Sequence, residues 1–590
     1  MNRKSDDGGS DDRTGGANLG GDPERRCGRR PYLAALGAAA ASVAGCLDGN
    51  SAEPTDGSAD PGADASGNGT DGDGARIEFD ADRLGSRHGI EFDRVLNAVN
   101  DLGLDPSGEV AAEDDVEDAL SNDGTLLAFP KGSYRFGGSV SLDAERVGIL
   151  GLEAVELSPD FGFDRLLFDG QGAAVDDVLV ENVDIDIRAP ATTAGIRLNC
   201  RHHFHVENVE FVGRGTNPSS GGTTSAFLLA VRSENGRGVL RNVVAKKGSR
   251  IDGYEGGNGR IGVWVGWSNK GTVRIENCDF REFGNNGVYG SRTPGNVEVV
   301  GCYFLNNNVC GPRIGGAGSY VENCTVEIDL DRYTGGTVDT STEFNTRAIV
   351  VEQGIQRTDA PALPGGAEIR GCTLHARSSP LSQSVIEQSP VARNLTVRDT
   401  EIRCDIDGTP AVRRGPVGAL PFRPDRQRPP GPHWTRLRNV TVGGDASGGV
   451  AIDLQSAPGS RVTDCEITCR GADRDGVLLD SSPKSAVTGG AIRTDGHPVV
   501  VEVDPANSDD DLLCLGVGTV LERFGDDGSG IELTDPSVLR TLARSSGTDD
   551  VCLGLGPAAS ALLAAGSDSL RIGVDALEDG VPVGRVLNRP

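Results

Sequence analysis

The sequence predicts an all-β solenoid, a parallel β-helix of about twelve coils. Glycine accounts for 85 of the 590 residues and aromatic residues for only 4 %, which argues against a bundle of long helices. A short motif recurs twelve times: an apolar residue, a free position, a turn-former, an apolar residue, a free position and another apolar residue. From Gly151 to Gly489 its eleven intervals give a mean period of about 31 residues, which is typical of a solenoid.

The motif is a strand whose alternation slips by one residue. In VRIENCDF, residues 273–280, the apolar positions are Ile275, Cys278 and Phe280, so the slip falls at Asn277. The slip residue is always Asn, Gly or Asp, the types that most readily adopt a left-handed conformation. We therefore interpret each slip as a corner, with flanking β segments and no amphipathic helix, which favours a β-helix over leucine-rich or propeller repeats. The predicted corners are Gly151, Asn182, Asn208, Asn242, Asn277, Gly301, Asn323, Gly371, Asp399, Asn439, Asp464 and Gly489.

Five of the thirteen cysteines follow a corner directly, at positions where other coils carry Val or Thr. These cysteines are predicted to form a core stack, since no CxxC or Cys/His spacing indicates zinc. Stacked neighbours lie within reach of a disulfide, and the sequence leaves open whether one forms. The five are Cys278, Cys302, Cys324, Cys372 and Cys465.

The N-terminal 46 residues resemble a twin-arginine export signal with a lipobox. Arg29 and Arg30 precede an aromatic-leucine step and an apolar run that ends in Val-Ala-Gly-Cys at Cys46. The resemblance implies that Cys46 becomes a lipidated first residue, which anchors the protein outside the cell; an ordinary buried helix is the alternative. Residues 47–75 are predicted to be a disordered acidic linker rich in Gly, Ser and Asp.

The beginning of the repeats carries a family resemblance. Residues 92–102 have the pattern of an amphipathic helix, and residues 125–136 match a strand-Pro-x-Gly-x-Tyr segment. Together with the coils, residues 76–505 resemble the right-handed parallel β-helix of the pectin-lyase-like superfamily. We expect an N-terminal cap and first coil over 76–145, repeats over 146–505 and a C-terminal cap over 506–590.

A formal net charge of -30 disfavours nucleic acid as a partner. The same acidic balance resembles haloarchaeal proteins, in which many surface carboxylates serve solvation alone. For every acidic candidate residue, the alternative to a functional role is therefore a surface carboxylate that serves solvation alone.

Aligning glycines in three consecutive coils brings one aromatic and cationic set together. Trp264, Tyr289 and Arg313 are predicted to occupy equivalent outward sites, with Arg292 nearby. Flat rings stack on sugars, and arginine pairs with carboxylates or hydroxyls. The alternative is that Trp264 lies beneath a long loop. Further overhanging candidates are Asp252, Tyr254, Glu255, Arg260 and Glu282.

Two near-copies of a Val-x-Glu-Gln motif supply the catalytic candidates, Glu352 and Glu387. We expect them to join Asp453, Asp480 and Glu502 in an outward ladder, where neighbouring carboxylates provide an acid and a base or share a calcium ion. No specific motif supports the calcium ion, so the cofactor stays open.

A segment between Asp399 and Asn439 is rich in arginine and suggests an anion site for a uronate or sulfated glycan, with Arg426 as a binding candidate. A solvated loop is the alternative. The seven arginines are Arg413, Arg414, Arg423, Arg426, Arg428, Arg436 and Arg438.

Three histidines cluster in Arg-His-His-Phe-His, residues 201–205. Strand parity turns His203 and His205 outward and His202 inward. Because no third ligand is evident, we interpret them as a polar strand and predict no metal site.

The sequence thus predicts an exported, lipid-anchored and monomeric protein that binds extracellular polysaccharide and cleaves it as a lyase or glycoside hydrolase. Of the Asn-Thr-Asp, Asp-Asp and Gly-His-Gly motifs of family pectin hydrolases, Asn-Thr-Asp and Gly-His-Gly are absent from the sequence, and the one Gly-Asp-Asp stands at residues 525–527, past the repeats. The alternative is a non-catalytic cell-surface adhesin or envelope module on the same β-helix.

Overall fold

The structure is a computed structural model whose described residues belong to one unit, Asp73–Pro590. The predicted signal and linker, including Cys46, lie outside the described residues. Among the helices that are described, none combines the length and apolar character needed to span a membrane. The described residues are 77–216, 223–251, 259–338, 346–352, 365–418, 430–503, 513–516, 519–524, 539–542, 551–555, 570–578 and 581–587.

The unit is a parallel β-helix, as predicted, built from two sheets in which successive coils stack in parallel register. We call the sheet that contains the corners the corner sheet. Its strands are Arg94–Asn97, Thr125–Phe129, Gly132–Phe136, Arg146–Gly151, Val155–Pro159, Asp177–Asp186, His203–Val212, Arg237–Ala245, Thr272–Glu276, Asp279–Arg281, Asn296–Val300, Tyr303–Leu305, Tyr320–Glu322, Thr325–Asp329, Ala367–Arg370, Thr373–Ser378, Leu395–Cys404, Thr435–Gly443, Arg461–Cys469, Ser485–Thr494, Leu513–Leu515, Val520–Arg523, Leu539–Leu542 and Val551–Leu555.

The other sheet, called here the second sheet, receives one strand from each coil and closes with antiparallel pairing of its last three strands. Its strands are Val140–Ser141, Asp164–Gly170, Thr193–Cys200, Ser225–Val231, Ile261–Val265, Val288–Tyr289, Pro312–Ile314, Ile349–Val351, Ile386–Gln388, Val412–Arg414, Val450–Gln455, Asp475–Asp480, Val499–Val503, Leu570–Glu578 and Val581–Leu587.

The corners form where the sequence predicts them. Eleven of the twelve predicted corner residues have φ between +51° and +67°. Gly151 is the exception, and the strand Arg146–Gly151 ends there. Glycine is needed at that position for space, because a Cβ would lie 1.9 Å from the carbonyl oxygen of Asn182.

Polar side chains connect successive corners along the stack. Asn242 Nδ2 donates to Asn208 Oδ1 at 3.1 Å, and Asn439 Nδ2 donates to Asp399 Oδ1 at 2.8 Å. These bonds satisfy side chains that the tight turn brings close together.

The cysteine stack lies in the core, as predicted. All five cysteines are buried free thiols, and the backbone N–H of Cys278 donates to Cys302 Sγ at 3.4 Å. The described cysteines of the stack therefore act as core residues of valine size and not as a disulfide chain.

The N-terminal cap differs from the prediction in one element. The strand Arg94–Asn97 replaces the helix expected over 92–102, because Asn97 Oδ1 accepts from the N–H groups of Val99 and Asn100 and ends the strand in a turn. The helices of the cap are Ala81–Leu84 and Glu113–Leu120, a hairpin pairs Ser86–Arg87 with Ile90–Glu91, and a 3₁₀ turn follows later at Leu330–Arg332.

Candidate functional site

One line of outward positions crosses the second sheet, and we call it the outward row. Strand pairing places Trp264 beside Tyr289 and Tyr289 beside Arg313, the alignment that the glycines predict. Whether these three residues bind a substrate stays a prediction. The row consists of Trp264, Tyr289, Arg313, Val350, Glu387, Arg413 and Asp453, in successive coils.

Two tryptophans lie at the start of the row: Trp264 belongs to it, and Trp267 lies beside it. The Trp264 ring is only partly buried, and the Trp267 ring meets it edge to face at a centroid distance of 6.2 Å. Trp267 lies just beyond the strand Ile261–Val265 and is 41 % exposed. Trp267 is not among the residues predicted from the sequence, although its position three residues after Trp264, in a chain with three tryptophans, is a usable signal.

The ring of Tyr289 contacts two arginines. The guanidinium carbons of Arg292 and Arg313 lie 4.9 and 4.8 Å from its ring centroid. Cation–π attraction therefore holds both arginines in place beside the tryptophans. The aromatic face that remains for a ligand belongs to Trp264 and Trp267.

The predicted outward carboxylate of Glu352 is in fact inside the protein. Glu352 is 0 % exposed, and its Oε2 lies 2.5 Å from Arg313 Nη2 and 3.1 Å from Ser291 Oγ, which donates to it. Arg292 Nε lies 3.9 Å away. Burial alone would lower the pKa of Arg313, but the charge of Glu352 outweighs this effect and raises it. Glu352 thus holds Arg313 in the row.

Glu387 belongs to the row and forms an ion pair with Arg347. The two Val-x-Glu-Gln copies do not align, because Val350 pairs with Glu387 and Val351 with Gln388. Glu352 and Glu387 are therefore offset by two positions, and they do not form the predicted single ladder. Gln388 points inward and is fully buried, and Gln353 lies outside the described residues.

The remaining carboxylates divide between two lines. Asp453 belongs to the outward row, whereas Asp480 pairs with Glu502 two positions further along the strands. Burial raises the pKa of Asp453, and the charges of Asp480 and Glu502 raise it further. Asp453 is 7 % exposed, accepts from Gln455 Nε2 at 3.0 Å and lies 3.5 Å from Arg413 Nε.

Two further candidates are buried, although the sequence predicts that they overhang the outward sites. Arg260 is buried, donates to the carbonyls of Gly248 and Ala194, and has a pKa that burial lowers to about 10, so it is no overhanging ligand. Glu282 is buried beside Arg214. The candidates Asp252, Tyr254, Glu255 and Arg426 lie outside the described residues.

The arginine-rich segment does not form one loop. Arg413 belongs to the outward row, whereas Arg414 is fully buried and donates to the carbonyl of Ser389. Arg436 belongs to the corner sheet and covers the ring of Trp434 at 3.9 Å. Arg423 and Arg428 lie outside the described residues.

His202 is exposed in a turn, contrary to the inward orientation predicted for it, and its Nδ1 lies 2.6 Å from Asp176 Oδ1. His203 and His205 do face outward from the corner sheet. His203 is half-buried and His205 is buried, and burial lowers the pKa of His203 to about 4.

A cavity of about 510 Å³ lies at the corners of three coils, away from the row. It is lined by Arg398, Asp399, Arg438, Asn439 and Asp464. Its charges are balanced within the corner sheet, since Arg398 pairs with Asp399 and Glu368.

No family model and no curated protein matches the sequence. Among solved structures, the chain is similar to a Dettilon tailspike protein, with 12 % identity and a TM-score of 0.36 over 67 % of this chain and 66 % of that one. It is also similar to the A-module of the mannuronan C-5 epimerase AlgE6 of Azotobacter vinelandii, with 12 % identity and a TM-score of 0.36 over 72 % and 98 %. A third similar structure is PfbA, a surface adhesin of Streptococcus pneumoniae, with 10 % identity and a TM-score of 0.33 over 84 % and 99 %.

Proposed function

We propose that the protein is exported, lipid-anchored at Cys46, and binds extracellular polysaccharide along the outward row. The observation that carries the proposal is the sequence of side chains in that row, with a partly exposed tryptophan pair followed by positioned arginines. A tryptophan face stacks on the apolar face of a sugar, and arginine donates paired hydrogen bonds to a carboxylate or hydroxyl. This combination suits a glycan that contains uronate or sulfate groups.

Glycan binding by the full chain, measured by calorimetry on a panel of uronate-containing, sulfated and neutral polysaccharides, tests the proposal. We expect Trp267→Ala to weaken binding about 5-fold, since one aromatic contact contributes about 1 kcal/mol. Trp434→Ala is the matched control, because Arg436 covers that ring in the corner sheet. Equal losses in both variants, or no binding to any glycan on the panel, would contradict the proposal.

Cleavage is a second candidate function, favoured by the contrast between Asp453 and Glu387. Asp453 has a raised pKa, whereas Glu387 is paired with Arg347. Arg413 separates them in the row, so their Cα atoms lie roughly 10 Å apart. Two carboxyl groups in different environments along one sugar chain, one of them with a raised pKa, are the arrangement expected of the acid and base of a glycosidase.

New reducing ends and the absorbance of unsaturated products test cleavage. We expect Asp453→Asn to abolish product formation with binding retained, and Glu387→Gln to do the same. If the wild-type chain binds glycan but forms no product, the adhesin function is the correct one. Export and anchoring are tested separately, by the loss of membrane-bound protein in Cys46→Ala.

A further inference from the structure

A second group of chemically active side chains lies on the outer face of the corner sheet. His205 and Glu207 are two positions apart on the strand His203–Val212, so both side chains point to the same face. The N-terminal hairpin covers this face and brings His88 to them from the turn between its strands. His88 has φ of +51°, an uncommon conformation for histidine, which places its ring over His205.

The three side chains approach closely enough to share a cation. One donor atom each of His88, His205 and Glu207 lies within 4.8 Å of the other two. His205 Nε2 is 2.7 Å from Glu207 Oε2, and the rings of His88 and His205 stack at 3.7 Å with an angle of 8°. To bind one tetrahedral zinc ion, the separation of 2.7 Å has to open by about 0.6 Å, and the stacked rings have to rotate, because a metal lies in the plane of each imidazole that binds it.

The surroundings of the group combine carboxylates with arginines: Arg241 Nη1 lies 3.8 Å from Glu207 Oε2, so a bound cation replaces Arg241 as the partner of that carboxylate. His205 is 5 % exposed, so a ligand there is shielded from water. Glu181 lies 3.2 Å from His88 Nε2 and is held by Arg87, and the ring of His203 lies 6.4 Å from that of His205. Carboxylates of this kind commonly orient the histidine ligands of metals.

The donor set selects the class of cation. Two imidazoles and one carboxylate suit zinc and neighbouring transition metals, whereas calcium and magnesium require more oxygen ligands. The group is also separate from the outward row, since it lies on the corner sheet. Together with the neighbouring His203, the group brings three of the seven histidines of the chain into one patch.

We propose that His88, His205 and Glu207 bind a divalent transition metal of the zinc class that fastens the N-terminal hairpin to the corner sheet. The metal joins residues 117 positions apart in the chain, between His88 and His205. It binds the folded protein only, since the ligands come together through the fold. Its role is therefore structural, and it stabilises the first coils.

Cobalt(II) and zinc titrations of the full chain, after treatment with a chelator, test this site. We expect one equivalent of Co²⁺ to give the visible absorption of a low-coordinate site, and Zn²⁺ to displace it. Zinc at about 100 times its dissociation constant is expected to raise the melting temperature by about 2 °C. Calcium is expected to do neither.

Two variants and two controls decide which residues hold the metal. His88→Ala and Glu207→Gln are expected to weaken Co²⁺ binding more than about 10-fold, and His88 is exposed enough that the fold survives its loss. His375→Ala is the matched control, because His375 pairs with Asp405 at 2.8 Å and has no third ligand among the described residues, and His202→Ala controls for the neighbouring histidine. Absence of the cobalt absorption, or unchanged binding in His88→Ala, would overturn the proposal.

Discussion

Replacing Glu352 with glutamine distinguishes a positioning carboxylate from a catalytic one. The substitution keeps the shape of the side chain but removes the negative charge that Arg313 and Ser291 contact. Removing one partner of a buried ion pair costs about 3–5 kcal/mol, because the other charge stays without compensation. Arg313 keeps 17 % of its side chain exposed and contacts the ring of Tyr289, so we expect the lower end, about 3 kcal/mol.

That free energy translates into a measurable shift. Unfolding of the unit Asp73–Pro590 carries an entropy of roughly 1 kcal/mol per kelvin, so the melting temperature should fall by about 3 °C. Glycan binding should weaken as well, because Arg313 loses the contact that fixes it in the row. Calorimetric melting and glycan titration measure the two effects.

A matched control is available on the corner sheet. Glu368 is paired with Arg370 and Arg398 but is 28 % exposed, so Glu368→Gln should cost less than about 1 kcal/mol and change the melting temperature by under about 1 °C. If Glu352→Gln melts like the wild type and instead loses cleavage by more than about 100-fold, the carboxylate acts on the substrate and the positioning argument is wrong.

Three further predictions concern the scaffold. Burial, and after it the charge of Glu210, raises the pKa of Asp184 to about 6. Between about pH 4 and 6 the folded protein therefore binds more protons than the unfolded chain, and the free energy of unfolding falls as the pH rises through that window. Asp184→Asn should therefore stabilise by about 1–2 kcal/mol at pH 7 and leave stability unchanged near pH 3, as followed by urea unfolding; equal effects at both pH values would refute this. Asn306 is buried with φ of +52° and exchanges two hydrogen bonds with the backbone of Asp329. Asn306→Gly should therefore lower the free energy of unfolding by about 2 kcal/mol, and Asn306→Ala by about 1 kcal/mol more, because alanine tolerates a positive φ less well. A higher urea midpoint for the alanine variant than for the glycine variant would contradict this ranking. The nine described free thiols are all buried and should react with a thiol reagent only after unfolding. Rapid labelling in the native protein would show that the core around the labelled cysteine is open.

The scaffold was predictable because its signals are local. A corner needs a residue that tolerates a positive φ, and Asn277 shows that requirement within its own strand. The position of Cys278 follows from the corner by parity, and the alignment of Trp264 with Tyr289 follows from neighbouring glycines. The error at residues 92–102 has a local cause too, since the turn made by Asn97 competes with a helix of the same apolar spacing.

The chemistry of the site was less predictable because it depends on contacts between distant segments. Glu352 reaches Arg313 and Ser291 in earlier coils, and nothing in the Val-x-Glu-Gln pattern indicates that its carboxylate is buried. The register of the strands also offsets Glu352 from Glu387 by two positions, and the two near-identical motifs give no sign of this offset. His88 lies more than a hundred residues from His205, so no spacing rule connects the two.

The strand register of the outward row also sets a scale of length. Neighbouring coils are about 4.8 Å apart, and this interval is fixed by backbone hydrogen bonds rather than by flexible loops. The positions from Trp264 to Asp453 are therefore equally spaced along a line. A linear polysaccharide whose repeat length matches this spacing can contact several side chains of the row at once, whereas a branched or irregular polysaccharide cannot. The row therefore selects a polysaccharide by the regularity of its chain as well as by its charge.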